Sequence, residues 1–224
     1  MKNPKTRLWL MLIGGSVLIA LVLFLSAGTV QYWQAWAYLA VNAIASLPYT
    51  LYLLKDPVLL ESRTKAGPTA EQRPVQKVIV LLGGLSVAAA FIVSGLDRRF
   101  GWSDVPFWLV IAGDLLVLAG MLMVYRVVKE NSFGSAAVEV VKGQKVISTG
   151  PYAIVRNPMY SSALVYLVGM SLALGSYWAL VPAALVILVL VWRLFDEEAF
   201  LAKNLPGYTE YCAEVRWHLI PLIF

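Results

Sequence analysis

Apolar and polar stretches alternate along the chain in a pattern that predicts six membrane-spanning helices. A helix needs about 20 apolar residues to cross the hydrocarbon core of a bilayer, and the apolar runs approach or reach this length. The predicted spans are residues 8–27, 33–54, 76–96, 106–128, 159–174 and 179–195. Only the short turn 175–178 separates the last two runs, which predicts a helical hairpin. The pattern therefore indicates an all-α polytopic membrane protein.

A polar, turn-rich stretch at residues 143–160 separates the fourth and fifth apolar runs. Lys142-Gly143 is typical of a two-residue turn, and it lies between the β-branched runs 138–141 and 144–149. We therefore expect a small β-hairpin here, within a compact loop at the mouth of the helical bundle. Such a loop is suited to binding a polar ligand. The alternative is an ordinary connection between two spans.

The pattern also divides the chain into two regions. Residues 1–128 contain the first four spans. Residues 129–224 contain the polar loop, the helical hairpin and an amphipathic C-terminal segment that begins near residue 196. We expect any chemistry to be concentrated in the second region, because its polar residues are grouped around the loop.

Composition supports an integral membrane protein and limits the chemistry. Of the 224 residues, 60% are hydrophobic and only 14% are charged, whereas soluble domains average about 25% charged residues. The single cysteine, Cys212, excludes a disulfide within the chain. With one histidine, His218, neither a histidine-based metal site nor a Ser-His-Asp triad is expected. We therefore predict no bound metal.

The basic residues are distributed in a way that predicts the orientation of the protein. The N-terminus carries three Lys or Arg residues, the 55–73 loop four and the 126–157 loop five, while the remaining turns carry few or none. By the positive-inside rule, both termini and the 143–160 loop are cytoplasmic. The membrane is then a cell inner or plasma membrane, or the endoplasmic reticulum. The net charge of +5 thus reflects topology, and we expect no nucleic-acid partner.

A second polar group lies at the end of the last predicted span. Arg193 and Glu197 are four residues apart and share one helix face, and the predicted topology places them on the same membrane side as the loop. An arginine can form a bidentate pair with a carboxylate or phosphate, and a carboxylate can accept hydrogen bonds from an ammonium or from ribose hydroxyls. The alternative is a snorkelling arginine beside solvated acids.

One carboxyl group is predicted inside a span. Asp114 lies at a depth similar to that of Asn42 in the second span, so we expect these two side chains to hydrogen-bond to each other. An intramembrane carboxyl is a candidate functional group by default. We favour the simpler interpretation, a structural polar contact between two helices.

Several motifs in the C-terminal region resemble one known family. They are Gly150-Pro-Tyr152, Val155-Arg-Asn-Pro-Met-Tyr160, Glu197-Glu198 and Leu205-Pro-Gly-Tyr208. In order and spacing they are similar to the C-terminal half of the isoprenylcysteine carboxyl methyltransferases, a family related to the phospholipid N-methyltransferases. The resemblance covers about residues 125–224, and the earlier part of the chain matches only as generic spans.

The resemblance implies a cofactor, S-adenosyl-L-methionine, bound on the cytoplasmic side, and a lipophilic or prenylated acceptor that enters from the bilayer. Arg193 would take the substrate carboxylate. The residues expected to contact or enclose the cofactor are Gln144, Lys145, Val146, Ile147, Tyr152, Asn157, Pro158, Met159, Tyr160, Glu197 and Glu198. Methyl transfer to a carboxylate is an in-line displacement that needs no general base, so positioning and exclusion of water would supply the catalysis.

The chain departs from the family at Asn157, where the family usually has histidine. Asparagine retains a hydrogen-bond donor and acceptor but cannot become charged. Three alternatives to the isoprenylcysteine assignment remain open at this point: a phospholipid N-methyltransferase, an NADPH-dependent sterol-type reductase, and a non-catalytic protein of the same fold. The reductases usually have an Arg-Asp pair where this chain has Glu197-Glu198, which argues against that alternative.

Overall fold

The structure is a computed structural model that describes residues 4–64, 71, 73–133, 138, 140 and 143–224. Within these ranges it contains eight α-helices and one short 3-10 helix at Gly150–Ala153. The helices are α1 (Pro4–Ala27), α2 (Trp33–Leu53), α3 (Pro57–Thr64), α4 (Pro74–Phe100), α5 (Phe107–Glu130), α6 (Pro158–Ala173), α7 (Leu180–Asn204) and α8 (Tyr208–Glu214).

All six predicted spans are helical. Three of them, α1, α4 and α5, are both long enough and apolar enough to cross a membrane. The helix α6 is apolar but shorter, at 16 residues. In the described part of the chain these helices confirm an all-helical membrane protein, while the number of six spans and the division into two regions stay predictions.

Two expectations for the connecting segments need correction. The 55–73 segment was expected to be a polar loop, but it contains the helix α3, which begins at Pro57 and buries Leu59 and Leu60. The expected β-hairpin is not confirmed, because residues 139, 141 and 142 lie outside the described part of the chain and 144–148 form no strand. Val146 packs instead against the apolar cluster around α8.

The two helices of the predicted hairpin have different principal partners. The helix α6 packs mainly against α5, whereas α7 packs mainly against α4. Glycines permit the close approach of α5 and α6: a Cβ on Gly113 would lie 2.3 Å from the backbone nitrogen of Ala173, and one on Gly169 would lie 2.7 Å from the Leu116 Cβ. Small residues of this kind let helix backbones meet in a membrane. Because α7 packs mainly against α4 rather than against α6, space remains between α6 and α7.

Both described ends of the chain lie at the same end of the bundle. An apolar cluster joins Leu8 near the start of α1 to Leu53, Leu60 and Val128, and the C-terminal tail lies against the start of α6. At the opposite end, the Asp97 carboxylate accepts hydrogen bonds from the hydroxyls of Ser103 and Ser176. This arrangement agrees with the expected alternation of the helices. Which end faces the cytoplasm stays a prediction.

The expected hydrogen bond between Asn42 and Asp114 is not formed. The Asn42 Oδ1 atom accepts instead from the Tyr166 hydroxyl at 2.9 Å, and the Tyr166 and Tyr38 hydroxyls lie 2.6 Å apart. One oxygen of Asp114 is buried without a hydrogen-bond partner among the described residues. Tyrosines on α2 and α6 therefore take the place of the carboxyl in this interhelical contact.

Candidate functional site

A cavity of about 570 Å³ lies between the polar loop, α3, α4 and α7. This volume is in the range typical of small-molecule sites. Its polar end is formed by the loop and by the cytoplasm-directed part of α7 in the predicted topology. Its other end is apolar and runs between α4 and α7. The apolar wall consists of Ile79, Val80, Gly83, Gly84, Val87, Val186, Val189 and Leu190.

A chain of buried polar contacts crosses the polar end. The Arg193 guanidinium donates to the Glu71 carboxylate at 2.8 Å and, through Nε, to the Tyr160 hydroxyl at 3.0 Å. Tyr160 in turn donates to Glu197 at 2.5 Å. The Glu71 side chain is only 2% exposed, and it also accepts from the backbone N–H of Val138. Residues from distant parts of the sequence are therefore joined in one hydrogen-bonded network.

The 3-10 helix carries a tyrosine into the cavity wall. Gly150, at its start, has φ +57°, and a Cβ there would lie 2.8 Å from the Glu130 carboxyl carbon. Glycine is therefore needed at this position. The Tyr211 hydroxyl of α8 donates to the Tyr152 carbonyl at 2.8 Å, and the Asn131 amide donates to the Tyr152 hydroxyl at 3.2 Å. Burial raises the pKa of the Tyr152 phenol, so this hydroxyl stays protonated at neutral pH and can donate to a ligand.

The C-terminal tail is bound to the loop through Glu198. One oxygen of its carboxylate lies 2.6 Å from the Asn157 amide nitrogen and 3.0 Å from the His218 Nδ1, and the other accepts from Arg156 at 3.3 Å. The backbone N–H groups of Arg156 and Asn157 donate to the carbonyls of Trp217 and His218 at 2.8 and 3.0 Å. The tail therefore supports the segment that leads into α6.

The structure brings nearly all of the predicted site residues to this one cavity. Those that line it are Gln144, Lys145, Val146, Ile147, Tyr152, Asn157, Pro158, Met159, Tyr160, Arg193 and Glu197. Glu198 is not among the lining residues, because its carboxylate is turned toward Asn157, Arg156 and the tail. Glu198 hydrogen-bonds to Arg156 and Asn157, which line the cavity, and so it supports the cavity wall without facing the cavity. Its role in cofactor binding stays a prediction.

Several residues of the polar end were not predicted from the sequence, among them Arg63 and Asn131, which line the cavity, and Glu71, which pairs with Arg193. Glu71 and Arg63 belong to the segment interpreted as a polar loop, and Asn131 follows α5 directly. Nothing in the local sequence marks these residues as site residues. The only signal was that two of them lie in a segment predicted to be on the same membrane side as the loop.

The chemistry of the lining residues suits an organic ligand with charged and polar groups. Carboxylate, guanidinium and phenol side chains lie at one end, and residues 144–147 also line the cavity. Among the residues that the structure describes, no group of three His, Cys, Asp or Glu side chains is arranged to hold a metal ion. The residues present fit a zwitterionic cofactor with ribose hydroxyls.

Comparison with known families gives an independent indication of the class. The sequence model of the phospholipid methyltransferase family matches residues 108–206, a little under half of the chain. No match was found among curated proteins. The matched segment covers nearly all of α5, the loop, α6 and all of α7, including Tyr160, Arg193 and Glu197. Over residues 108–206, the match confirms the resemblance to integral-membrane methyltransferases. It does not specify the acceptor.

We predict that Glu198→Ala loosens the tail from the loop. The variant removes the acceptor of three side chains, and the Glu198 side chain is only 12% exposed, so we expect a loss of about 3 kcal/mol in the free energy of unfolding. Hydrogen exchange of the Arg156 and Asn157 amides should accelerate. Glu214→Ala, at an exposed position of α8, is the matched control. Unchanged exchange in Glu198→Ala would contradict the proposed support by the tail.

Proposed function

We propose that the protein transfers a methyl group from S-adenosyl-L-methionine to a lipophilic acceptor. The observation that carries this proposal is the continuity of the cavity. One end presents Tyr152, Arg193 and Glu197, and the other is an apolar crevice between α4 and α7. A polar methyl donor and the apolar chain of an acceptor can therefore occupy one space, with the reacting groups meeting between them.

The polar end supplies groups suited to each part of the cofactor. Glu197, held by Tyr160, can accept hydrogen bonds from an ammonium or from ribose hydroxyls, and the backbone of 144–147 can contact an adenine edge. When bound, the cofactor supplies a methyl group on a positively charged sulfur. The chain's own contribution is to hold acceptor and donor in line and to exclude water from the contact.

The acceptor that fits the arginine best is a carboxylate, as in an isoprenylcysteine-like molecule. Arg193 is buried, with a side chain 12% exposed, and Glu71 and Tyr160 fix its orientation. A fixed guanidinium can orient a carboxylate without reorganisation. The carboxylate is already nucleophilic, so the site needs no base for this reaction. Asn157 in place of the family's histidine is compatible with that requirement, because its amide serves as a hydrogen-bond donor to Glu198.

A second acceptor is favoured by the family match. A phospholipid N-methyltransferase acts on an amine, which must lose a proton during or before the transfer. Glu197 and Glu71 are the carboxylates nearest to Arg193 and Tyr160, and Glu197 lines the cavity. This candidate therefore assigns Glu197 to the acceptor's ammonium rather than to the cofactor.

The chemistry of the methylated product distinguishes these two acceptors. We expect purified protein in mixed micelles to transfer radiolabelled methyl from the cofactor to a prenylcysteine, giving a product that releases volatile methanol in base. A base-stable label on phosphatidylethanolamine would identify the amine acceptor instead. Glu197→Gln should reduce transfer by at least about tenfold, the loss expected for one charge-assisted hydrogen bond. Transfer to neither acceptor, with cofactor binding intact, would contradict both assignments.

We further predict that Gly84 keeps the apolar end open to the acceptor chain. A Cβ on Gly84 would meet nothing within 4 Å, and the residue is exposed on α4 at the cavity wall. Gly84→Leu should therefore fold but fill the crevice, raising KM for a long-chain acceptor by about tenfold. The KM for a short-chain acceptor with the same headgroup should change little.

Gly14→Leu is the matched control for this experiment. Gly14 is also exposed on a long apolar helix with nothing within 4 Å of an added Cβ, but it lies on α1, away from the cavity. An equal change in KM for long and short acceptors in Gly84→Leu would rule out the crevice as the site of the chain.

A further inference from the structure

Arg63 is a cavity residue whose guanidinium is only partly hydrogen-bonded among the described residues. It lies in the last turn of α3 and lines the polar end. Its Nε is buried and has no hydrogen-bond partner among the described residues. Its one side-chain hydrogen bond in that part of the chain runs from a terminal nitrogen to the Asn131 carbonyl, at a long 3.3 Å. A buried donor without a partner costs free energy, so its presence in a site calls for a ligand.

The carboxylates around the cavity are already engaged with other groups. Glu71 is paired with Arg193, and Glu197 accepts from Tyr160. No described carboxylate lies within ion-pair distance of Arg63. Burial lowers the pKa of the Arg63 guanidinium from its ordinary value, while Tyr49, Tyr152 and Glu197 nearby act in the opposite direction. An arginine nevertheless remains charged, and an anion beside it would offset the cost of its burial.

We propose that Arg63 binds a carboxylate or phosphate oxyanion of the ligand in the polar end of the cavity. This inference rests on the proposed function for the identity of that ligand. The oxyanion has two sources in such a site: the amino-acid carboxylate of the cofactor, or the phosphate of a phospholipid acceptor. Both present two oxygens to the Nε and a terminal nitrogen of one guanidinium, which is the geometry that arginine recognises.

Arg63 enters the cavity from the N-terminal part of the chain. The residue comes from α3, outside the segment 108–206 that the methyltransferase family model matches. It lies close enough to Tyr152 and Glu197 to interact with both electrostatically. A ligand whose cationic group is accepted by Glu197 would therefore have its anionic group within reach of Arg63. The N-terminal half of the chain thereby contributes directly to ligand recognition.

The test uses two pairs of ligands in which one member carries the anionic group and the other lacks it, and in the lipid pair the second member lacks the ammonium as well. Equilibrium binding to the full-length protein in detergent is measured for S-adenosylmethionine and its decarboxylated form, and for dihexanoyl phosphatidylethanolamine and dihexanoylglycerol. Each ligand is titrated into the wild type, Arg63→Gln and Arg126→Gln. Arg126 is exposed near the end of α5 and does not line the cavity, so it controls for the same loss of charge.

We expect Arg63→Gln to weaken the anionic member of one pair by about tenfold or more, while its partner lacking the anion binds as before. Selective loss for S-adenosylmethionine identifies the cofactor carboxylate, and selective loss for the phospholipid identifies the phosphate. Equal weakening within both pairs, or no change in either, would overturn the proposal, because it would mean that Arg63 only supports the structure or does nothing. If the wild type binds neither form of the cofactor, the proposed function fails, and the lipid pair still decides the role of Arg63.

Discussion

The buried ion pair between Glu71 and Arg193 is the interaction on which the polar end of the cavity depends. Both side chains are largely removed from solvent, and either charge alone would be costly to bury. The pair fixes Arg193, which then fixes Tyr160, which holds Glu197. It also ties the segment after α3 to α7. A network satisfied in this way is rigid, and the proposed methyl transfer between two bound molecules requires such rigid placement of charged groups.

The space for this network follows from helix packing. Glycines on α5 and α6 allow those two helices to pack closely, whereas α7 packs against α4. The loop between α6 and α7 is short, so the two helices stay joined at one end and leave room at the other. The tail then closes this region from outside through Glu198 and the loop backbone. The polar site and the apolar crevice thus both result from the packing of α6 on α5 and of α7 on α4.

Sequence pattern predicted the helices well because apolar runs have a direct physical cause: a helix in lipid must be apolar and internally hydrogen-bonded. It also predicted the part of the cavity wall that comes from residues 144–160 and from Arg193 and Glu197, because the residues of each group are close together in the sequence. It failed where long-range packing decides the outcome. Arg63 reaches the site through the position of α3, Glu71 contacts the site by pairing with Arg193 of α7, and Asn42 accepts from Tyr166 rather than contacting Asp114. No local pattern records such contacts.

The most direct test of the proposed use of S-adenosylmethionine is calorimetric titration of the detergent-purified protein with this cofactor and, separately, with NADPH. We expect S-adenosylmethionine to bind the wild type, and Glu197→Gln to weaken this binding by at least about tenfold, since one charge-assisted hydrogen bond is lost. We expect no binding of NADPH in the separate titration. Binding of NADPH in place of S-adenosylmethionine would contradict the account and favour a membrane reductase built on the same cavity.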